Sequence, residues 1–275
     1  MIRRILVGLG DLPYTESATN MALDIARFHD AQLTGISVMD VARVSNIGPV
    51  PLGAGGAAVE LQQHRLLQTK QTIKDVNQRF EVLCQDAHIS YEIHSPEGNP
   101  YHCLADKARY HDLVICGLSR LFEHGVVDEP PDELVWLVQA GVRPLIAVTS
   151  DYREIHRALI SYSGSMESAK AMKRFVQMRL WPDVRVRIVT FEHKHEKAQA
   201  LLDEAAGYCR AHGLVVDTEH RPESPVHGLI PYAREWNPDL MVLGNSGRNL
   251  ILRHVFGETM LYTVKHTDRP LFLAQ

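Results

Sequence analysis

The chain repeats itself, and this limits its folds more than any other feature. "HDLVICG" (His111 to Gly117) returns as "PDLMVLG" (Pro238 to Gly244), and "VRPLIAV" (Val142 to Val148) returns as "DRPLFLA" (Asp268 to Ala274). The intervals agree: Asp112 to Arg143 spans 31 positions and Asp239 to Arg269 spans 30. Upstream, "RILVGLGDLPYTESATNMALDIA" has its counterpart in "RALISYSGSMESAKAMKRFV". Each is an apolar run, then a small polar turn, then apolar residues at helical spacing. Such self-similarity means one supersecondary plan used twice. The expected boundary lies near "TSDYREIH", giving domains 1–150 and 151–275.

Within a copy, strands and helices alternate. In the second copy the pattern predicts strands near 157–162, 184–191, 214–220, 239–243 and 270–274, and helices near 166–178, 194–212, 225–236 and 257–266. Alternation of this kind implies a parallel sheet covered on both faces. The near-continuous apolar runs "LVICG" and "LMVLG" suit strands buried on both sides. Right-handed crossovers then give an α/β fold of two tandem, Rossmann-like, doubly wound five-stranded sheets. A ligand in such a sheet sits at the carboxyl ends of the strands, at the topological switch point. The copies differ in length between first-strand turn and fourth strand: 102 positions from Gly10 to Asp112, 76 from Ser163 to Asp239. The 26 extra positions coincide with "VARVSNIGPVPLGAGGAAVELQQ". Its Gly, Ala and Pro content predicts an inserted loop over 42–67, leading into a long helix ending near residue 86. A lid over a site is its functional alternative.

Composition excludes several function classes. The net charge of -4 provides no basic field for nucleic acid or an anionic membrane surface. No apolar run approaches the roughly 20 residues of a membrane span. "MIRRILVGLGD" reads as a first strand and not as a signal segment, which makes the expected location the cytoplasm. Cys84, Cys103, Cys116 and Cys209 form no C-x-x-C pair, so they read as incidental thiols. The tightest histidine cluster, "HKH" at 193–195, is flanked by Glu192 and Glu196 and reads as a solvated turn, with no metal expected.

The strongest local signal is "GNSGRNLILRHVFGET", directly after the fourth strand of the second copy. A helix starting there offers unpaired backbone N–H groups and a partial positive charge to an anion. Gly244 lets the backbone pass close to a ligand, Gly247 permits a turn with positive φ, and Gly257 leaves room over the first N–H groups of the helix. Gly247 follows Gly244 with two residues between, and nine more separate it from Gly257.

This spacing resembles the G-x2-G-x9-G-Ser/Thr signature of the universal stress protein family, and the likeness covers nearly the whole chain as two tandem copies. The resemblance implies binding of an adenine nucleotide, ATP, ADP or AMP with or without Mg, or no nucleotide in some branches. It implies a cytoplasmic role in stress survival without dedicated catalysis. It also implies pairing of the two copies through their fifth strands, "RPLIAV" and "RPLFLA", as an intramolecular pseudo-dimer, and it admits a homodimer of chains. Carried over residue by residue, the nucleotide site of the second copy would comprise Ser163, Ser165, Thr190, Leu243, Gly244, Gly247, Arg248, Gly257, Glu258 and Thr259. Asp11, Val38 and Gly117 are the vestigial counterparts in the first copy. There Arg120 replaces the second glycine, and Asp128, Glu129, Asp132 and Glu133 crowd the expected helix start. The second copy departs from the family too. Ser163 stands where an Asp holds the nucleoside, and Glu258 stands where a Ser or Thr meets phosphate. A carboxylate about 4 Å from a γ-phosphate costs about 1 kcal/mol even in bulk water, so AMP or ADP suffers less than ATP.

Two other readings follow from the same residues. A chain that kept the fold and lost the site would be a nucleotide-free interaction or scaffold protein. "SGSMES" (Ser163 to Ser168) also has a likeness to the S-G-G-x-D-S pyrophosphate loop of ATP pyrophosphatases, but the second Gly and the Asp are absent. Ser165 as N-cap with Glu167 in the first turn accounts for that stretch as an ordinary helix start. Ser246, in "GNSG", does not fit the G-x-S-x-G nucleophile elbow.

Overall fold

The computed structural model describes residues 2–51, 53–118, 137, 141–142, 144–244 and 258–274. The first half contributes β1 (Arg4–Gly8), α1 (Leu12–His29), β2 (Gln32–Ile36), α2 (Val41–Ser45), α3 (Gly55–Asp86), β3 (Tyr91–His94), α4 (Pro100–Ala108), β4 (Leu113–Gly117) and β5 (Leu145–Val148). The second contributes β6 (Arg157–Ser161), α5 (Met166–Met178), β7 (Arg185–Phe191), α6 (His195–Ala211), β8 (Val215–Arg221), α7 (Pro225–Trp236), β9 (Leu240–Gly244), α8 (Glu258–His266) and β10 (Leu271–Ala274). The ends of the second-half elements fall within one residue of those the periodicity predicts.

The described strands form one ten-stranded sheet in the order β3-β2-β1-β4-β5-β10-β9-β6-β7-β8. Neighbours are parallel within each half. At the centre β5 and β10 run antiparallel, with Leu145 opposite Leu273, Ile146 opposite Phe272 and Ala147 opposite Leu271. Alternation along the strands sorts the core into two layers. Ile5, Val7, Ile146 and Phe272 face one layer with residues of α1, α3, α5 and α6. Leu6, Leu145, Leu271 and Leu273 face the other, with Leu104 of α4, Trp236 of α7 and Val264 of α8. Further links join the halves: the Phe175 and Phe272 rings meet edge to face at 5.4 Å, and His29 Nε2 donates to the Arg179 carbonyl at 3.1 Å.

The repeated sequence words have repeated jobs. Asp112 Oδ2 accepts from the backbone N–H groups of Arg3 and Arg4 at 2.8 and 3.0 Å. Asp239 Oδ2 accepts from those of His156 and Arg157 at 3.0 and 2.8 Å. Each Asp thus binds the entry of the first strand of its half to the entry of the fourth. In the second "RPL", the Arg269 guanidinium is buried and donates to Asn237 Oδ1 at 2.7 Å, holding the left-handed residue that ends α7.

The insertion departs from its predicted form. Among the described residues of 42–67, only those between Ser45 and Gly55 lie outside helices, because α2 occupies 41–45 and α3 begins at Gly55. Ala, Glu, Leu, Gln and Arg over 57–68 are strong helix formers, and they outweigh the two glycines at the start. The described buried residues of α3 are Thr69, Val76, Phe80 and Cys84, all beyond residue 68. Phe80 lies on Gly35 of β2, where an added Cβ would stand 2.9 Å from the ring. Among the described residues, no helix is long and apolar enough to cross a membrane. Cys84, Cys116 and Cys209 are buried free thiols, and Cys103 is half-buried. Burial pushes the Cys84 thiol up to about 12 and that of Cys209 to about 11.

Candidate functional site

In the second half the chain leaves β6 toward β7 on one side and leaves β9 toward β10 on the other, so the switch point lies between the adjacent strands β6 and β9. Their carboxyl ends carry most of the sequence-derived site. After Ser161 comes the turn Ser163–Gly164–Ser165, which opens α5. Gly164 has φ +74°, a conformation that favours glycine, and an added Cβ would meet the Leu201 side chain of α6 at 2.6 Å, which would have to shift. Ser165 is the N-cap of α5, its Oγ accepting from Ser168 N at 3.1 Å, and Glu167 lies in the first turn, as the spacing predicts. The three hydroxyls form a closed set: Ser163 Oγ lies 3.1 Å from Ser165 Oγ and 3.2 Å from Ser168 Oγ. Ser168 Oγ also donates to the Ser165 carbonyl at 2.9 Å. Ser163 and Gly164 are exposed, Ser165 half-buried. The turn is therefore open to a ligand at the positive end of α5.

Gly244 ends β9 directly against that helix. A Cβ there would come within 2.5 Å of the Glu167 carbonyl oxygen and 2.6 Å of Ser168 Cα. Strand and helix meet with no space for a side chain, a reason for glycine that needs no ligand. Leu243 is buried between Leu273 and Ser161 of the neighbouring strands. Thr190, near the end of β7, is fully buried, and its hydroxyl donates to the Tyr162 carbonyl at 2.7 Å. Ser163, Ser165, Gly244 and, through Tyr162, Thr190 are thereby brought together.

Gly247, Arg248 and Gly257 lie outside the described residues, as do Arg120, Asp128, Glu129, Asp132 and Glu133 of the first half. Glu258 is exposed at the first position of α8, and the Thr259 carbonyl accepts from Thr263 Oγ1 at 2.7 Å. Among the described residues, no hydrogen bond joins Glu258 or Thr259 to the serine turn. Sequence reasoning treated Glu167 only as part of a helix start. With Glu258 it places a carboxylate in the first turn of each helix described after β6 and β9. Both offset the helix dipole and both oppose a highly charged anion.

In the first half Asp11 occupies the N-cap position of α1 at φ −61°, ψ 149°, but its side chain does not cap the helix. Its carbonyl accepts from Thr15 N at 2.9 Å, while Thr15 Oγ1 donates to the Gly10 carbonyl at 3.1 Å. Val38 is buried in the core beside Ile36 and Leu104. Gly117 ends β4, opposite Val148. Among the described residues, no group of three or more His, Cys, Asp or Glu side chains could hold a metal ion.

Comparison with known proteins agrees with this architecture. No curated protein matches the chain. A universal stress protein from Archaeoglobus fulgidus DSM 4304 superposes with TM-score 0.61 at 11% identity, over 98% of this chain and 96% of that one. A functionally unknown protein from Pseudomonas aeruginosa PAO1 superposes with TM-score 0.60 at 13% identity, over 99% and 92%. A universal stress protein in complex with cAMP matches 45% of this chain and 98% of its own at 22% identity, with TM-score 0.40. At these identities the two full-length likenesses show the fold alone. The family model described as "Universal stress protein family" matches residues 1–126 and 175–275. The chain belongs to the universal stress protein family.

Proposed function

We propose that the chain is a regulatory module of the stress response that binds an adenine nucleotide in its second half, between the carboxyl ends of β6 and β9, without dedicated catalysis. The observation that carries this reading is the Ser163–Gly164–Ser165 turn, exposed at Ser163 and Gly164, at the N-terminus of α5 and beside Gly244 at the switch point. Backbone N–H groups and a helix dipole at that place favour an anion. The G-x2-G-x9-G spacing that continues from Gly244 supports a phosphate there. Ser163 and Ser165 would line the nucleoside side, with Thr190 buried behind them, and Gly247, Arg248, Gly257, Glu258 and Thr259 the phosphate side, with Leu243 buried beneath. Glu167 and Glu258 favour the less charged ligands, so AMP and ADP bind more tightly than ATP unless Mg screens the triphosphate. The first half is a structural partner.

Ligand that binds only the folded state raises stability by mass action, about 2.7 kcal/mol at a hundredfold excess over Kd. A thermal-shift titration with AMP, ADP and ATP, each with and without Mg, should raise Tm in that order without the metal. A flat response to all three at millimolar concentration sinks the reading.

One observation favours a second reading, a nucleotide-free interaction protein. The serine hydroxyls satisfy one another, and the seam of β9 and α5 alone accounts for Gly244. The double substitution Ser163→Asp and Glu258→Ser separates the two. Binding gained only by that variant favours the nucleotide-free protein; binding already present in the unaltered chain favours the nucleotide module.

A further inference from the structure

The "HKH" segment acquires a partner that its own sequence does not show. His195 opens α6, and β8 brings His220 beside it, with the two Nδ1 atoms 3.1 Å apart and the ring centroids 5.1 Å apart. His220 Nε2 lies 2.6 Å from the Glu192 carbonyl oxygen. A carbonyl only accepts, so Nε2 carries the proton and neutral His220 presents Nδ1 as a lone pair. Histidines that ligate metals characteristically commit their second ring nitrogen to a carbonyl in this way, which fixes tautomer and orientation. Ligand nitrogens bound about 2.0–2.1 Å from one ion stand about 2.9 Å apart at a right angle and about 3.4 Å apart at the tetrahedral angle. The observed separation falls between these. The Glu192 carboxylate is occupied elsewhere: Oε2 pairs with Lys197 Nζ, and Oε1 accepts from Lys194 N at 3.4 Å.

We propose that His195 and His220 form a two-histidine chelate for a divalent cation of the zinc, nickel or copper class, with water completing the coordination. Imidazole suits these ions, whereas magnesium and calcium prefer oxygen. In the metal-free form His195 holds its proton on Nδ1 and donates to His220. On binding, solvent water accepts the Nδ1 proton and returns one to Nε2, so the ring stays neutral, no net proton is released, and Nδ1 becomes a ligand. The Nε2 position is accessible because His195 is exposed. The site stands on β8, two strands from β6, and does not depend on the nucleotide reading.

The test is calorimetric titration of the untagged full-length chain, stripped with chelator, with Zn2+ alone at neutral pH. One ion should bind per chain. His195→Gln and His220→Ala should each weaken binding at least about tenfold, or about 1.4 kcal/mol, while His193→Ala leaves it unchanged. Long-range 15N spectra should show His195 passing from the Nδ1–H to the Nε2–H tautomer as metal is added. Because His195 is exposed, His195→Gln keeps the fold, which metal-free thermal unfolding verifies. No detectable binding at about 100 μM Zn2+, or binding that survives both substitutions, overturns the proposal and leaves a hydrogen-bonded pair of histidines.

Discussion

At the scale of single residues, the repeated aspartates show how the duplication is maintained. Asp112 and Asp239 each accept two backbone N–H bonds at the entry of a first strand. Hydrogen bonds to a charged group are worth about 1.5–3 kcal/mol each when shielded, and less where water competes. Asp239→Ala should therefore lower unfolding free energy by about 1–3 kcal/mol in urea titrations. Asp112→Ala should lower it less, because Asp112 is exposed and Asp239 half-buried. Asn at position 239 keeps one acceptor oxygen and should recover part of the loss. The sequence identified these positions only as members of an echo. Their role depends on an oxygen reaching a backbone some 80 or more residues away, and no local pattern encodes that.

At the scale of elements, legibility followed packing. The strands and helices of the second half were readable because the helices bury one periodic face and the inner strands are apolar on both, and both patterns are written in the chain. The insertion was misread because its first residues bury little: glycine and proline suggested a loop where a helix starts. That same lack of burial separates the two ends of α3. Amide exchange should be fast over 55–68 and slow over 69–86, where Val76, Phe80 and Cys84 are held in the core. Mass-spectrometric peptides spanning the helix would measure the step, and uniform protection would refute it. The β9–α5 seam allows a sharper test. Gly244→Ala forces a methyl group into the Glu167 carbonyl and should destabilise the fold by about 1–3 kcal/mol, as overpacking typically does. A neutral outcome in thermal unfolding would mean the seam opens without strain, leaving ligand approach as the reason for that glycine. The remainder of the glycine loop was legible as a motif, while its conformation falls beyond the described residues.

At the scale of the whole molecule, acid sensitivity should arise from two buried or partly buried histidines, one of them where the halves meet. Burial lowers the pKa of His29, against the opposing pull of its bond to the Arg179 carbonyl. Burial likewise lowers that of His111, whose Nε2 lies 2.9 Å from Thr34 Oγ1. A histidine with a depressed folded pKa binds its proton more readily when unfolded. Its contribution is present above the ordinary value near 6.5 and is lost as pH falls below it. Unfolding free energy should thus decline on acidification from pH 7 to 5. His29→Gln, which keeps a donor for the Arg179 carbonyl, should flatten part of that decline. An unchanged slope in His29→Gln would remove His29 from the account. The antiparallel junction of β5 and β10 has a genetic consequence as well. In a dimer of identical chains, every substitution strikes both sites at once. Here β5 and β10 belong to one polypeptide, so the first half can hold Arg120 and a row of acids while the second holds Gly247 and Gly257. The halves can therefore differ in sequence while the edges of β5 and β10 still cover one another within the same chain.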